Sequence, residues 1–585
     1  MIHGKGVTID LSKKKISYES IENTISHQFL GGNGIGAYIL HQKMKPTQSF
    51  SPQSWVIFAP GVLNGSTFPM TSKCGFFGLS PLTHALAESY FGASLGVSVK
   101  SHGLDYIAIT GKSETLSYIL IDEDISIIED QTLKNVVTSE CEQILKERHH
   151  GSCACIGPAG ENLVKFAAIV GDNRQAGRTG LGAVLGRKNL KAIVVTPRKI
   201  EYDHQNVKEM RKRCFKGFLD GEGYPAYQGY HSMGTGKSII PFSDLWGVLP
   251  TENFEHSQYD RASQIDTTGW IKDVTRNTGC HGCMIACGKV YKGISDPEFE
   301  TLFALGSNLL CDDINVIAEA NRLCDEYGMD TISMGGILGY MMSLSKEGVI
   351  TEDIPFGDGD TILSLIKKTA TREGLGDNLA EGVRTLSRIY NNHYHAIHVL
   401  GLEPPAYDVR GMKGMALSFM TSPRGACHLR SSAYTVELSG TWQQFTADRF
   451  SSEDKGYVAW MENLMTVHDI LGTCKFTRDF YLPDIMCEMV EAYTGIGLTP
   501  EKLIASGERT FNLEWLFNVQ NGVFMDNLPA KFTTPIAEGP SSGAFISEED
   551  VTRMKSDYFK ARGWDENGIP TEKTKKRLGL TFCSA

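Results

Sequence analysis

Three cysteines, Cys280, Cys283 and Cys287, stand in the run GCHGCMIACGKVY with C-x2-C-x3-C spacing. The small residues around them let a backbone wrap closely around a bulky ligand. Three thiolates from one short loop, with a fourth from elsewhere, are a common supply for a [4Fe–4S] cluster. Zinc accepts similar thiolates, and buried cysteines also serve as small hydrophobes; the spacing ranks iron–sulfur ahead of both. The fourth ligand stays open on spacing alone, because Cys311, Cys324, Cys427, Cys474 and Cys487 all lie downstream.

The other bounds are broad. A chain of 585 residues exceeds one hydrophobic core, so two to four domains are expected, and 41% hydrophobic residues suffice to pack them. Fifty-seven basic against 68 acidic residues leave −11. No Lys/Arg block or basic helix stands out as a footprint for nucleic acid or a membrane, which leaves small molecules and proteins as partners. The N-terminus has no apolar signal segment and no stretch reaches 18 apolar residues, which places the protein in the cytoplasm. There, 14 cysteines argue for metal ligation rather than a disulfide framework.

Residues 1–199 read as short β runs between glycine-rich turns: SWVIFAP, DYIAITG, SYILIDE, CACIGPAG and KAIVVTP. Beyond Pro197 the pattern becomes helical, as in NVIAEANRLCDEYG and DTISMGGILGYMMSLSKEG, with apolar residues at three and four and glycine near the ends. The predicted fold is α+β: a β-rich, two-sheet domain over 1–199, a helical domain with the cysteine run over 200–403, and a helical C-terminal domain over 404–585. No repeat or low-complexity linker separates them, so they should pack together; PSSG near 540 and the polar stretch at 566–576 read as surface loop or tail.

Several strings resemble the tungsten-containing aldehyde:ferredoxin oxidoreductase family: GGNGIGAYIL at 31–40, GLSPLT at 78–83, the run from 157 to 193, PAYDVRGMKGMALSFMTSPRGACHLR at 405–430 and GERTFNLEWLFNVQNG at 507–522. The resemblance spans nearly the whole chain. It implies two D-x-x-G elements that cradle two pterins around tungsten or molybdenum, one N-terminal domain that shapes the cradle, and one [4Fe–4S] cluster. The matching strings are Asp325-Glu-Tyr-Gly-Met329-Asp330 and Asp469-Ile-Leu-Gly-Thr473-Cys474. Judged in isolation, each would be an ordinary turn or helix end. By resemblance, Cys474 is the fourth cluster ligand.

The same resemblance assigns Arg174, Gln175, Gly177 and Arg178 to a glycine-rich loop that grips the pterin phosphates, with Mg2+ allowed between them. Without the family this stretch is a cluster of turns, and it lacks a Walker pattern. Lys73, Tyr90, Gly92, Arg430 and Lys475 fall at further pterin contacts. Lys73 and Tyr90 stand where the family often has Arg and Asn, and Gln175 and Lys475 where smaller or apolar residues are usual. These departures suggest a divergent branch, since a lysine point charge does not replace an arginine fork.

Glu300 and His428 match the family's active-site acid and base; by local sequence they would be a helix-start glutamate and a structural histidine. The implied reaction oxidises an aldehyde to a carboxylic acid, reversibly, and passes electrons to ferredoxin or an electron-transfer subunit. Glu319 matches a glutamate that in some members joins histidine at an inter-subunit iron, but no histidine occurs from 282 to 392, so a homodimer does not follow from it. Two other readings are a benzoyl-coenzyme A reductase-like tungstopterin subunit and a non-catalytic metal-binding relative.

Overall fold

The computed structural model describes residues 2–200 and 205–583. The first 195 residues build two six-stranded sheets. One contains β1 (Lys5–Asp10), β2 (Lys15–Ser20), β3 (Val56–Pro60), β4 (Cys74–Leu79), β5 (Leu86–Phe91) and β6 (Tyr106–Thr110), in the order β2-β1-β6-β3-β4-β5. The other contains β7 (Ser117–Ile121), β8 (Ile125–Glu129), β9 (Ser152–Cys155), β10 (Ile169–Gly171), β11 (Arg174–Ala176) and β12 (Leu190–Val195), in the order β11-β10-β9-β12-β7-β8. Most pairings are antiparallel; β1 with β6 and β7 with β12 are parallel.

Alternation along β3 explains the layering. Val56 and Phe58 share a core with Ile119 and Ile193 of the second sheet, while Ile57 and Ala59 share another with Ile35 and Leu40 of the helix Gly32–Lys43. Both faces are covered, so the strand reads as a continuous apolar run rather than an alternating one. The outer face of the second sheet is covered in the same way by Cys141 and Leu145 of the helix Thr138–His149.

The rest of the described chain is mainly helical, as the sequence predicts: NVIAEANRLCDEY forms the helix Ile314–Tyr327 and the next window forms Thr331–Lys346. The largest apolar core mixes both helical segments, packing Ile337 and Met341 with Met415, Phe419 and Trp515. No helix among the described residues is long and apolar enough to cross a membrane.

Two expectations change. The helix Gln205–Leu219 buries Val207, Met210, Cys214 and Phe218 and exposes Lys208, Arg211, Lys212, Arg213 and Lys216, so a basic helix is present. Its charges are interleaved with core residues at helical spacing, which hides them in a linear reading. The polar stretch at 566–576 runs into the helix Glu572–Leu578, whose Thr571 caps its N-terminus and whose Lys575 is buried.

Candidate active site

Each D-x-x-G element is clamped by one sheet of the N-terminal region through its backbone. In the first, Ala168 N–H donates to Gly328 O at 2.8 Å, Asp330 N–H donates to Phe166 O at 3.2 Å, and Ala167 bridges Met329. In the second, the connection between β3 and β4 does the work: Val62 and Leu63 N–H donate to Ile470 and Leu471 O, Lys73 N–H to Gly472 O and Cys474 N–H to Met70 O, all at 2.9–3.1 Å. Gly472 has φ +79°, and a Cβ there would lie 2.6 Å from Lys73 O, so only glycine fits both the turn and the close approach.

Between the elements lies a cavity of about 860 Å3, near the top of the range of roughly 300–1,000 Å3 for small-molecule and cofactor sites. Cys280, Cys283, Cys287 and Cys474 all line it, as do Glu300 and His428. So do Lys73, Tyr90, Gly92, Arg174, Gln175, Gly177, Arg178, Asp325, Asp330, Asp469, Thr473 and Lys475. Met329 and Arg430 do not. Met329 is fully buried and pairs through its backbone, and Arg430 sits behind the wall, where it binds Glu88 at 2.9 Å and Glu514 at 2.6 Å and approaches Asp469 at 3.5 Å. Both act by holding an element in place.

The four thiols crowd one another, and burial pushes those of Cys283, Cys287 and Cys474 up from their ordinary range. Lys73 Nζ stands 3.7 Å from Cys280 Sγ, and the neighbouring Cys280 and Cys474 thiols keep it charged against burial. A Cβ on Gly92 would meet Cys280 Sγ at 2.3 Å, so the strand end must be bare there for the loop to approach. Among the described residues, no three His, Cys, Asp or Glu side chains converge as ligands of a single metal ion.

Asp325 accepts from Gln175 Nε2 and from Asn321 Nδ2 at 2.9 Å; burial and the Asp296 carboxylate raise its pKa to about 8. Asp469 instead meets Lys475 Nζ at 2.7 Å. Burial pushes its carboxyl up while Lys475 and Arg430 oppose the shift. Thr473 shares a hydrogen bond with His468 Nδ1 at 2.7 Å, and Tyr90 donates to Glu88 at 2.6 Å under Lys475. Asp330 caps the helix Thr331–Lys346 and pairs with Arg178 Nε at 3.1 Å.

Arg178 also donates to the carbonyls of Ala426 and Glu403, which braces the glycine-rich loop. Arg174 pairs with Glu298 at 2.9 Å but keeps a buried Nε without a partner. Glu319 forms a two-pronged ion pair with Arg322 near the surface, at 2.6 and 2.8 Å.

Glu300 and His428 face each other, with His428 Nε2 3.5 Å from Glu300 Oε1. The other carboxylate oxygen accepts Ala406 N–H at 2.9 Å; Oε1 has no hydrogen-bond partner. Burial raises Glu300 to about 8. Burial, then Arg178, Arg424, Lys475 and Arg478, hold His428 well below its usual value. The imidazole stacks on Tyr407, centroids 5.0 Å apart at 25°. Sequence reasoning passed over Asn321, Tyr407, Arg424 and Arg478; Tyr407 and Arg424 lie within the quoted string 405–430, but nothing in their spacing marks them.

Residues 6–197 match the family model for the aldehyde ferredoxin oxidoreductase N-terminal domain, and residues 221–580 that for its domains 2 and 3. The tungsten-containing aldehyde ferredoxin oxidoreductase of Pyrococcus horikoshii is 36% identical, covering 99% of this chain and 98% of its own. That of Thermococcus kodakarensis is 34% identical over the same shares. The WOR-like subunit of an aliphatic sulfonate oxidoreductase from Pyrococcus furiosus is 27% identical over 99% and 97%. The active-site complex of benzoyl coenzyme A reductase, solved with 1,5-dienoyl-CoA, superposes with a TM-score of 0.85 at 22% identity over 99% and 97%, a likeness of fold. The chain belongs to the aldehyde ferredoxin oxidoreductase family.

Proposed function

We propose that this chain oxidises aldehydes to carboxylic acids, R–CHO + H2O → R–COOH + 2 H+ + 2 e−, and the reverse. Cys280, Cys283, Cys287 and Cys474 would hold a [4Fe–4S] cluster, which would supply one-electron transfer to ferredoxin or an iron–sulfur electron-transfer subunit. The observation that carries the reading is a single cavity lined both by four cysteines and by the Glu300–His428 pair. Tungsten, or molybdenum, held by two pterins supplies the two-electron redox chemistry when bound.

The residues fit that group. Four crowded thiols suit a cluster, in which each cysteine binds a different iron. Asp325 and Asp469, one on each element, are suited to accept pterin N–H groups. Arg174 Nε and the backbone at Gly177 would hold the pterin phosphates, whose charge Mg2+ would help to neutralise.

At neutral pH Glu300 is protonated and His428 is uncharged, and the two side chains face each other at 3.5 Å. Above about pH 8 Glu300 becomes the acceptor for the hydrate O–H proton, and His428 orients it. In the direction of acid reduction the protonated Glu300 is the donor. Aldehyde oxidation should therefore rise, and acid reduction fall, as pH passes through about 8.

The test replaces His428 by Ala and Glu300 by Gln in protein loaded anaerobically. Metal and iron content should stay unchanged while turnover drops by roughly 10²–10⁴-fold. An H428A protein with full activity on several aldehydes would remove His428 from the mechanism.

A further inference from the structure

The cavity's cations are not equivalent. Lys73 faces Cys280, Arg174 pairs with Glu298, Arg178 with Asp330, Lys475 with Asp469, and Arg424 binds Cys427 Sγ at 2.7 Å and Glu88 O at 2.8 Å. Arg478 has no ion pair among the described residues. It is 7% exposed, Nη1 donates to Lys475 O at 2.9 Å, and its buried Nε has no partner. Its guanidinium lies 5.4 Å from the Tyr434 ring centroid.

Burying a guanidinium away from water without an anion is costly, and its planar fork matches a carboxylate in bidentate fashion. Three phenols whose hydroxyls make no hydrogen bond among the described residues, Tyr230, Tyr407 and Tyr434, line the same cavity and feel its charge. Lys237, likewise without an ion pair there, stands 4.8 Å from the Tyr230 ring. Lys73 stands beside Cys280, and Arg478 acts also on the Cys474 thiol.

We infer that Arg478, with Tyr230, Tyr407 and Tyr434, forms a seat for an anionic group on the substrate's tail, so that the preferred aldehyde is a short oxo-carboxylate. The seat adjoins the chemistry, because Tyr407 stacks on His428 at 5.0 Å and packs on Tyr434 at 4.9 Å. Aldehyde carbon and distal carboxylate would be recognised at once, the first beside Glu300 and the second at Arg478. This inference rests on the aldehyde-oxidising reading of the same cavity. A pterin phosphate offers the same anionic chemistry, and the test separates the two sources.

The test compares 4-oxobutanoate with butanal on the anaerobically loaded wild type, Arg478→Gln and Arg478→Lys, alongside tungsten and pterin content and equilibrium dialysis with butanedioate. The wild type should favour 4-oxobutanoate. Arg478→Gln should lower the ratio of kcat/KM for 4-oxobutanoate over butanal by roughly 10–100-fold, the effect of a hydrogen bond to a charged group, with Arg478→Lys in between. Butanedioate should bind wild type and not Arg478→Gln.

An unchanged ratio overturns the seat, and so does a wild type that shows no preference while oxidising butanal; aldehyde oxidation survives either result. Lost tungsten or pterin in Arg478→Gln overturns it in favour of a phosphate contact. If the loaded wild type oxidises no aldehyde, the underlying reading fails, and dialysis alone then decides the seat: Arg478-dependent binding of butanedioate supports it, and equal or absent binding removes it.

Discussion

At Asp325 the carboxylate meets two amides, those of Gln175 and Asn321, whereas at Asp469 it meets the cations Lys475 and Arg430. The backbone frame is the same in both, a glycine in the left-handed region pinned to a loop of one N-terminal sheet. The ends differ again: the first element closes on Asp330, which caps a helix and ties down Arg178, and the second on Cys474, which joins the cysteine loop. A duplicated frame can thus be specialised by side chains alone. One side becomes neutral and structural, and the other pairs with cations and is shared with the cysteine loop.

The largest effect should separate the two ends. Cys474→Ser should lose the cluster's iron and electron paramagnetic signal and, with them, electron delivery to ferredoxin, while Asp330→Asn should keep both. Retention of about four iron atoms per chain in Cys474→Ser would break the assignment.

Stability should then rank the carboxylates. Asp469→Asn leaves Lys475 buried beside no acid and should cost about 3 kcal/mol, whereas Asp325→Asn exchanges one hydrogen-bonded neutral group for another and should cost about 1 kcal/mol. Denaturant midpoints of the unloaded protein measure the difference, and equal losses would mean that the two environments are alike.

The glycines should follow the same order. A Cβ at Gly472 would lie 2.6–2.7 Å from Lys73 O and Asn64 Nδ2, but one at Gly328 would lie 3.0 Å from its nearest neighbour, Gly157 N. Both have positive φ. Gly472→Ala should therefore cost roughly 2–3 kcal/mol and Gly328→Ala about 1.

The last test is in pH. The folded pKa of Asp325, about 8, lies above its ordinary 3.8, so the fold favours the protonated form. That stabilisation is complete below pH 3.8 and disappears as pH rises through about 8. Thermal melts of the unloaded wild type should lose stability across that window more steeply than melts of Asp325→Asn, and parallel curves would contradict the shift.

Much of this was legible before the structure because it is local. The cysteine run, the apolar strands and the helical periods each carry their signal within a few residues. The clamp between Gly61–Lys73 and Ile470–Cys474 is a backbone contact between segments 400 residues apart, and its only trace in the sequence is glycine. Family resemblance linked the two elements to one site, yet Met329 and Arg430, which it also assigns there, stand behind the cavity wall, because a position can be shared for its support of the wall. Arg478 left no signal at all: what distinguishes it is that it forms no ion pair among the described residues although Asp479 is near, which depends on the packing of Tyr230, Tyr407 and Tyr434 around it.

The most direct test of one cavity joining a cluster to a pterin-held metal is elemental analysis of protein purified anaerobically from a host that makes the pterin cofactor. The account predicts about one tungsten or molybdenum and about four iron atoms per chain. Zinc alone, or iron without tungsten or molybdenum even when the cofactor is supplied, would contradict it.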